Sequence, residues 1–337
     1  MNKNRGFAHL HVHTNYSMLD GTVKIGELFK RCEELGISSV AITDHGNMYG
    51  ALEFAKAAVR HTDPKADFFD FMKEGRECKV RPIIGCEVYV CGDMKNKNAD
   101  SKEKNYHLVL LVKNEIGYKN LIKMVSLSYI EGLYYKPRVD IELLKKYSEG
   151  LVCLSGCLGG HVAKAALSGD IKLANEWAAT YKKIYGEDFY IELQDHRMVE
   201  QRRILPLLRD VAEANGIKMV ATNDVHYLNK DDARMQKVMQ NVAFQKTMSW
   251  DEDIFRGGLV DSGEGGSGDY FPTDEFYLKS GDEMDAVLGA YEGAIDNTLE
   301  IANKCKCDFF VKRPLLPNYV VGEGVSGKDG FLYCGEA

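Results

Sequence analysis

No apolar run in these 337 residues approaches the length of a membrane span, and Met1 to Gly6 lack the apolar stretch of an export signal. A spanning or secreted protein is excluded on that reading, and a cytoplasmic one is expected. Positive charge is also scarce. With 43 Lys and Arg against 50 Asp and Glu the net charge is −7, which argues against a surface that grips nucleic acid over its whole area and leaves room only for a local basic mouth. A paired-cysteine framework is missing as well: nine cysteines, an odd number scattered through apolar segments, read as reduced thiols. Cys305-Lys306-Cys307 is too close and too isolated to mark a zinc site. There is no internal repeat. What remains, 45% hydrophobic and 28% charged, is the composition of a globular chain, long for one ordinary domain and normal for an α/β barrel with an appendage.

Short β-branched and apolar runs alternate with helix-period segments, the pattern of parallel βα units. Seven strands are expected: Phe7 to Val12, Ser38 to Thr43, Ile83 to Val90, His107 to Val112, Leu151 to Ser155, Phe189 to Leu193 and Lys218 to Thr222. Amphipathic helices are expected over Val23 to Leu35, Ile171 to Tyr185 and, as one long element, Asp282 to Cys305. Asp63 to Arg81 breaks the period and reads as a loop or short excursion. The expected division is a barrel over residues 1–250, a flexible glycine-rich insertion over 251–275 around Gly257 to Gly268, and a C-terminal extension over 276–337 with a small-residue tail from Val320.

Chemistry concentrates at the strand ends. In His9-Leu10-His11-Val12-His13, strand alternation turns three imidazoles to one face, and three adjacent histidines rarely serve packing. Asp20 follows in the next loop; Thr43-Asp44-His45-Gly46 ends the second strand; Glu87 lies in the third and His107 opens the fourth. Strand five leads to Ser155-Gly156-Cys157, strand six to Glu192-Leu193-Gln194-Asp195-His196, and strand seven to Asn223-Asp224-Val225-His226. Function in a (β/α) barrel gathers at the C-terminal face, so these distant residues can converge. Taken singly, His45 also suits an Asx-type turn, Glu87 a buried carboxylate paired with an arginine, and Cys157 a small buried hydrophobe. His9 reads as a support beneath the ligands, and His61 and His161 as surface or capping residues.

The ligand-type residues are too many for one tetrahedral ion and suit two or three ions with shared carboxylates. Imidazole, carboxylate and one thiolate together favour zinc, with manganese or iron as alternatives, over magnesium or calcium. Such a cluster activates water near neutral pH and clamps phosphoryl oxygens, so no protein nucleophile is required. Tyr134-Tyr135-Lys136-Pro137-Arg138 offers two cations beside aromatic faces for a phosphate backbone, although a solvated basic turn accounts for it equally well. Arg202 and Arg203 are weaker candidates.

These residues resemble the PHP (polymerase and histidinol phosphatase) domain of bacterial replicative DNA polymerase III alpha subunits. The resemblance rests on His9 to Thr14, Tyr16 to Gly21, Ile42 to Gly46, Tyr134 to Arg138, Leu154 to Gly160, Glu192 to His196, Thr222 to Tyr227, Phe276 to Ser280 and Asn297-Thr298. It implies an α/β fold, a distorted (β/α)₇ TIM-like barrel with a small C-terminal helical extension, and a trinuclear centre held by His11, His13, Asp20, His45, Glu87, His107, Cys157, Asp224 and His226. It further implies phosphoesterase chemistry, 3′→5′ exonuclease (proofreading) activity on a DNA 3′ end, with Asp224, His226 and His11 at the reaction and Lys136, Arg138 and His196 on substrate. Implied partners are the remaining polymerase domains and other replisome subunits. No palm carboxylates are present, so DNA synthesis by these residues is not expected. A free-standing phosphatase acting on a small phosphomonoester such as histidinol phosphate, and a metal-stabilised scaffold that docks other polymerase parts, are the competing expectations.

Overall fold

The computed structural model describes residues 5–98, 105–243, 245 and 271–310, so the glycine-rich stretch 257–268 and the tail from Val320 lie outside the described residues. Eight strands follow in chain order: β1 (Ala8–His9), β2 (Ser39–Ile42), β3 (Arg81–Val90), β4 (Tyr106–Val112), β5 (Arg138–Val139), β6 (Leu151–Leu154), β7 (Phe189–Leu193) and β8 (Lys218–Ala221). They form one strongly curled sheet in the order β1-β2-β3-β4-β6-β7-β8, with the short β5 paired to the end of β3. The expected seven-stranded distorted barrel is therefore the observed architecture, with β5 added.

One strand runs against the expectation of parallel units. β4 is antiparallel to both β3 and β6. An antiparallel neighbour needs no crossover, and the described part of the β3–β4 link, residues 91–98, contains no helix. The reversal places the first residues of β4, not its last, at the end of the barrel where the other strands finish: His107 stands opposite Tyr89, near the C-terminus of β3.

The first strand is shorter than expected, because its ladder to β2 ends at His9. Beyond it the Val12 amide donates to the Thr43 hydroxyl at 2.9 Å, and the Thr43 amide donates back to the Val12 carbonyl at 2.8 Å. His13 N then donates to Val225 O at 2.7 Å, and Val225 N to His11 O at 3.0 Å. Residues 11–13 thus join β2's end to the segment after β8 and close the ring at the functional end. The irregular backbone breaks strand alternation: Leu10 packs with Ala8 inside the barrel, whereas Val12 packs in the outer core.

The barrel interior is layered by strand parity. Ala41, Ile83, Val109, Leu111, Val152, Leu154, Tyr190 and Val220 pack together inside, while their sequence neighbours face the helices. Towards the end where the ligands gather, the inward positions turn polar: Glu87 four residues beyond Ile83, His107 two before Val109, Glu192 two beyond Tyr190 and Thr222 two beyond Val220. Ile301 and Ala302 of the helix Asp296–Lys304, with Cys305 at its C-cap, join the same interior cluster and close the apolar end.

The expected long helix over Asp282 to Cys305 is two helices, Gly281–Leu288 and Asp296–Lys304. Gly293 adopts a positive φ of 74° between them, which a continuing helix does not allow. The break lets the Ala294 carbonyl accept from Ala221 N at 2.9 Å, so the loop holds the edge of β8. The excursion 63–81 contains a short helix, Phe68–Lys73, started by the Asp67 carboxylate, which accepts from two backbone amides.

Candidate metal centre

All nine expected ligands reach one end of the barrel, although their strands are scattered along the chain. His11 and His13 bring their Nε2 atoms to 3.1 Å of each other, and Asp224 Oδ1 lies 3.3 and 3.1 Å from them. Glu87, rising from β3, lies 3.6 Å from His11 and 3.7 Å from His13, and meets His45 Nδ1 at 2.5 Å and His107 Nδ1 at 2.8 Å. Cys157 Sγ is 3.6 Å from His107 Nδ1. Asp20 Oδ2 is 3.0 Å from His45 Nε2 and 3.5 Å from His226 Nε2. Three groups have ligand atoms close enough to share an ion: His13, His45 and His226; His11, His13 and Asp224; Glu87, His107 and Cys157. Asp224 takes part at the cost of a strained backbone, with φ of 41°.

The histidines are oriented from behind. His11 Nδ1 meets Glu192 at 2.6 Å, His13 Nδ1 meets the Ser17 hydroxyl at 3.0 Å, and His226 Nδ1 meets the Asp224 carbonyl at 2.7 Å. Ser17 in turn donates to Asp44 at 2.7 Å, which also accepts from the amide and hydroxyl of Thr14. Each of these contacts engages Nδ1 and leaves Nε2 facing the cluster, the arrangement in which a carboxylate or carbonyl fixes the tautomer of a metal-binding imidazole. Glu192, Asp44 and Ser17 were not singled out from sequence. For Glu192 a signal existed, since a carboxylate two residues beyond an inward Tyr190 in an apolar strand must be paired, as Glu87 must.

Charge within the cluster is tightly coupled. Burial opposes charge on His11, but the Asp224, Glu192 and Glu87 carboxylates outweigh it and lift its pKa to about 10. His45 is likewise disfavoured by burial yet raised to about 10 by Glu87 and Asp20. His13 goes the other way, lowered to about 3 by burial and by neighbouring His45 and His226. Burial alone would raise Asp20, Glu87 and Asp224, but the surrounding imidazoles hold all three well below the usual carboxylate range. Burial, then Glu87 and Asp224, push the Cys157 thiol well above its ordinary value.

The residues fit divalent ions. Asp224 Oδ1, Glu87 Oε2, His45 Nδ1 and His226 Nε2 are buried, and their only polar neighbours are other members of the cluster, at 2.5–3.7 Å with poor hydrogen-bond geometry. Buried polar atoms crowded on one another without well-formed hydrogen bonds call for an ion or water between them. Three carboxylates packed against imidazoles also form a donor set that suits a divalent cation, whose binding is linked to proton release.

The substrate residues expected from sequence separate. Lys136 lines the cavity above the cluster, its ammonium 5.2 Å from the centre of the Tyr89 ring. Arg138 does not stand at the mouth: it is buried, and its guanidinium donates to the carbonyls of Gly132, Met94 and Asn96 at 2.8–3.0 Å. A guanidinium so occupied ties the loop down and has no free face for phosphate. His196 is fully buried, with Nε2 on the Asn223 carbonyl, Nδ1 on Gln201 and its ring stacked on Phe276 at 3.9 Å, so it supports the strand end that carries Asp224. His9 meets the Lys279 carbonyl at 2.8 Å and stays out of the cluster. Arg202 is paired with Asp195, and His61 with Glu33. His161, expected at the surface, is buried between Tyr106 and Trp177, with the Tyr181 hydroxyl 2.8 Å from its Nδ1.

Beneath Asp224, the buried Lys279 ammonium bonds Asn223 Oδ1 at 3.1 Å and the Glu275 carboxylate, which Lys230 also meets at 2.8 Å. Burial pushes the Glu275 carboxyl up, but Lys230 and then Lys279 draw it down to about 2. A carboxyl whose folded pKa lies below its unfolded value of 4.5 contributes stability above that value and loses it as pH falls towards 2. The urea midpoint of Glu275→Gln is therefore expected below that of the native chain at pH 6, with the gap narrowing as pH falls below about 4.5. A gap constant down to pH 3.5 contradicts this.

Above the ligands opens a cavity of about 710 Å³, walled by Tyr16, Tyr49, Tyr89, Tyr129 and Phe271 and floored by the cluster, with Lys136 at its side. Its size is that of a site for a nucleotide-sized ligand.

The model of the PHP domain family matches residues 9–196. The chain is similar to DNA polymerase III subunit alpha of Treponema pallidum, 38% identical over 329 residues that cover 97% of this chain and 25% of that protein. The same subunit of Borreliella burgdorferi is 37% identical over 319 residues (94% and 25%), and that of Thermus aquaticus 36% over 329 residues (94% and 24%). The chain thus spans about a quarter of the length of these curated relatives. A solved amidohydrolase structure from Chromobacterium violaceum aligns at 12% identity with a TM-score of 0.38, covering 69% of this chain and 97% of that one.

Proposed function

Because this chain belongs to the PHP domain family, we propose that it is the PHP portion of a replicative DNA polymerase III alpha subunit, acting as a metal-dependent phosphoesterase on the 3′ end of DNA, that is, as a 3′→5′ exonuclease. The observation that carries the reading is the convergence of nine ligand-type side chains at one end of the barrel, seven of them on the floor of an open cavity walled by tyrosines, with His11 and His13 buried behind. His11, His13, Asp20, His45, Glu87, His107, Cys157, Asp224 and His226 would hold two or three divalent ions, zinc foremost given the thiol, with manganese or iron as alternatives. Bound ions of this kind supply a Lewis acid for phosphoryl oxygens and a nucleophilic water at neutral pH.

The protein's own groups divide the remaining work. Glu192, Ser17 and the Asp224 carbonyl fix the imidazoles with Nε2 inward. Lys136 places one positive charge over Tyr89, where an incoming phosphate would pass, and the tyrosine walls offer faces on which bases stack. A small phosphomonoester would leave most of the cavity empty, which favours a polynucleotide end. The chain would sit beside the remaining polymerase domains, with other replisome subunits as further partners.

The test joins elemental analysis of the purified chain to turnover on a 3′-recessed duplex and on a phosphomonoester. Two or three equivalents of metal and release of mononucleotides are expected. At most one equivalent after metal supplementation counts against the cluster; full occupancy with no turnover favours a scaffold; faster hydrolysis of the monoester favours a phosphatase. With Arg138 tied down, the phosphate contact rests on Lys136. Lys136→Ala is expected to weaken DNA binding and to reduce the slope of log affinity against log salt by roughly 1, while sparing phosphomonoester turnover. Fluorescence anisotropy across a salt series reads both, and an unchanged slope removes Lys136 from the DNA path.

A further inference from the structure

Besides Ala233, the buried side chains of the helix Ala233–Ala243 are amides: Gln236, Gln240 and Asn241. Gln236 and Gln240, four residues apart and so on one face, are 2% and 5% exposed. A buried primary amide is costly unless its hydrogen bonds are met, so two in succession ask what they are for. Both point at one carboxylate. Gln236 Nε2 donates to Asp20 Oδ1 at 3.2 Å and to the Asp20 carbonyl at 3.1 Å, and Gln240 Nε2 donates to the same Oδ1 at 3.1 Å.

Asp20 is carried by a turn, not by a strand end. It follows Leu19, a non-glycine residue at φ 64°, and the turn before it exposes Met18 and Leu19 to solvent. Two amides on Oδ1 leave Oδ2 as the oxygen turned to His45 and His226. Amides can fix a carboxylate without adding positive charge, whereas a lysine or arginine in their place would compete with a metal ion by like-charge repulsion. The same corner is braced from a second side: Phe271 N approaches Gln240 Oε1 at 3.4 Å, and the Phe271 ring stands edge-on to His226 at 4.5 Å.

We propose that Gln236 and Gln240 are positioning residues that clamp Asp20 Oδ1, present Oδ2 to the metal at the Asp20–His45–His226 corner, and thereby set the affinity of that one ion. The clamp rests on the metal-centre reading above and lies outside residues 9–196 matched to the family.

The test compares Gln236→Leu/Gln240→Leu with Asp20→Asn and the native chain, by metal stoichiometry, competition with a chelator, and melting of the metal-free proteins. The double variant is expected to weaken one equivalent by about 10–100-fold, the same one weakened by Asp20→Asn, while the other equivalents and the metal-free melting temperature stay as in the native chain. Native affinity for every equivalent overturns the clamp and leaves the metal centre standing. Loss of all equivalents together with a lower metal-free melting temperature also overturns it, since the glutamines are then structural. A native chain that takes up no metal removes both readings. If the double variant does not fold, Gln240→Leu alone is expected to weaken the same equivalent, and unchanged affinity in that variant refutes the proposal.

Discussion

Asp224→Asn is expected to abolish phosphoesterase turnover, by on the order of a thousandfold or more, and to lower metal content while leaving the fold intact. The size follows from losing roughly 4 kcal/mol of electrostatic stabilisation at a site whose chemistry depends on held charge. Asp224 Oδ1 is buried, and its polar neighbours are the Nε2 atoms of His11 and His13 at 3.1–3.3 Å. An amide there removes the anion and presents either a weak acceptor or a donor to those imidazoles. The fold should persist because asparagine, like aspartate, tolerates the positive φ of 41° that this position adopts. His11→Ala is the less clean variant. His11 is fully buried against Glu192 at 2.6 Å, so its removal also strands a carboxylate and should lower the melting temperature. Circular dichroism, elemental analysis and a turnover assay check the pair. Native turnover in Asp224→Asn, or global unfolding of it, sinks the assignment.

What could be read in advance divides along a physical line. Strand positions were legible because a strand's apolar run and length are local properties, and the side chains that gather at the cluster were legible because carboxylates and imidazoles at the ends of such runs have few packing roles. Direction was not legible, because it is set by long-range pairing: a parallel fourth strand would carry His107, its opening residue, to the far end of the barrel, and only the reversal of β4 brings it to the cluster. The three-histidine face was overread. Period-two alternation holds only while the ladder holds, and it stops at His9, so His9 turns to the Lys279 carbonyl and only His11 and His13 enter the cluster. Arg138 and His196 failed as substrate residues for a common reason: a polar side chain's partners are set by tertiary contacts, here three backbone carbonyls for one and Asn223 with Gln201 for the other. The helix break at Gly293, like Glu192, was a miss with a local cue, since glycine permits the positive φ this position adopts.

Glu192 is the residue behind the cluster whose loss should be felt most widely. It is buried, and its carboxylate accepts from Gly156 N and Gln194 Nε2 at 3.0 Å each and from the Thr222 hydroxyl, while meeting His11 Nδ1 at 2.6 Å. These partners come from β7, the end of β8, the loop after β6 and the segment after β1, so one side chain ties together four walls of the barrel's polar end. Glu192→Ala leaves several buried donors unmet and is expected to cost about 3–5 kcal/mol of stability. Glu192→Gln separates the two roles. Its shape is kept and one oxygen still accepts, so the stability loss should be smaller, but the charge that holds His11 with Nε2 inward is gone, and metal affinity should still fall about 10–100-fold. Urea denaturation of the metal-free variants reads the first effect and chelator competition the second. If Glu192→Gln binds metal as tightly as the native chain, His11 is oriented by packing alone, and the carboxylate serves only to hold the walls together.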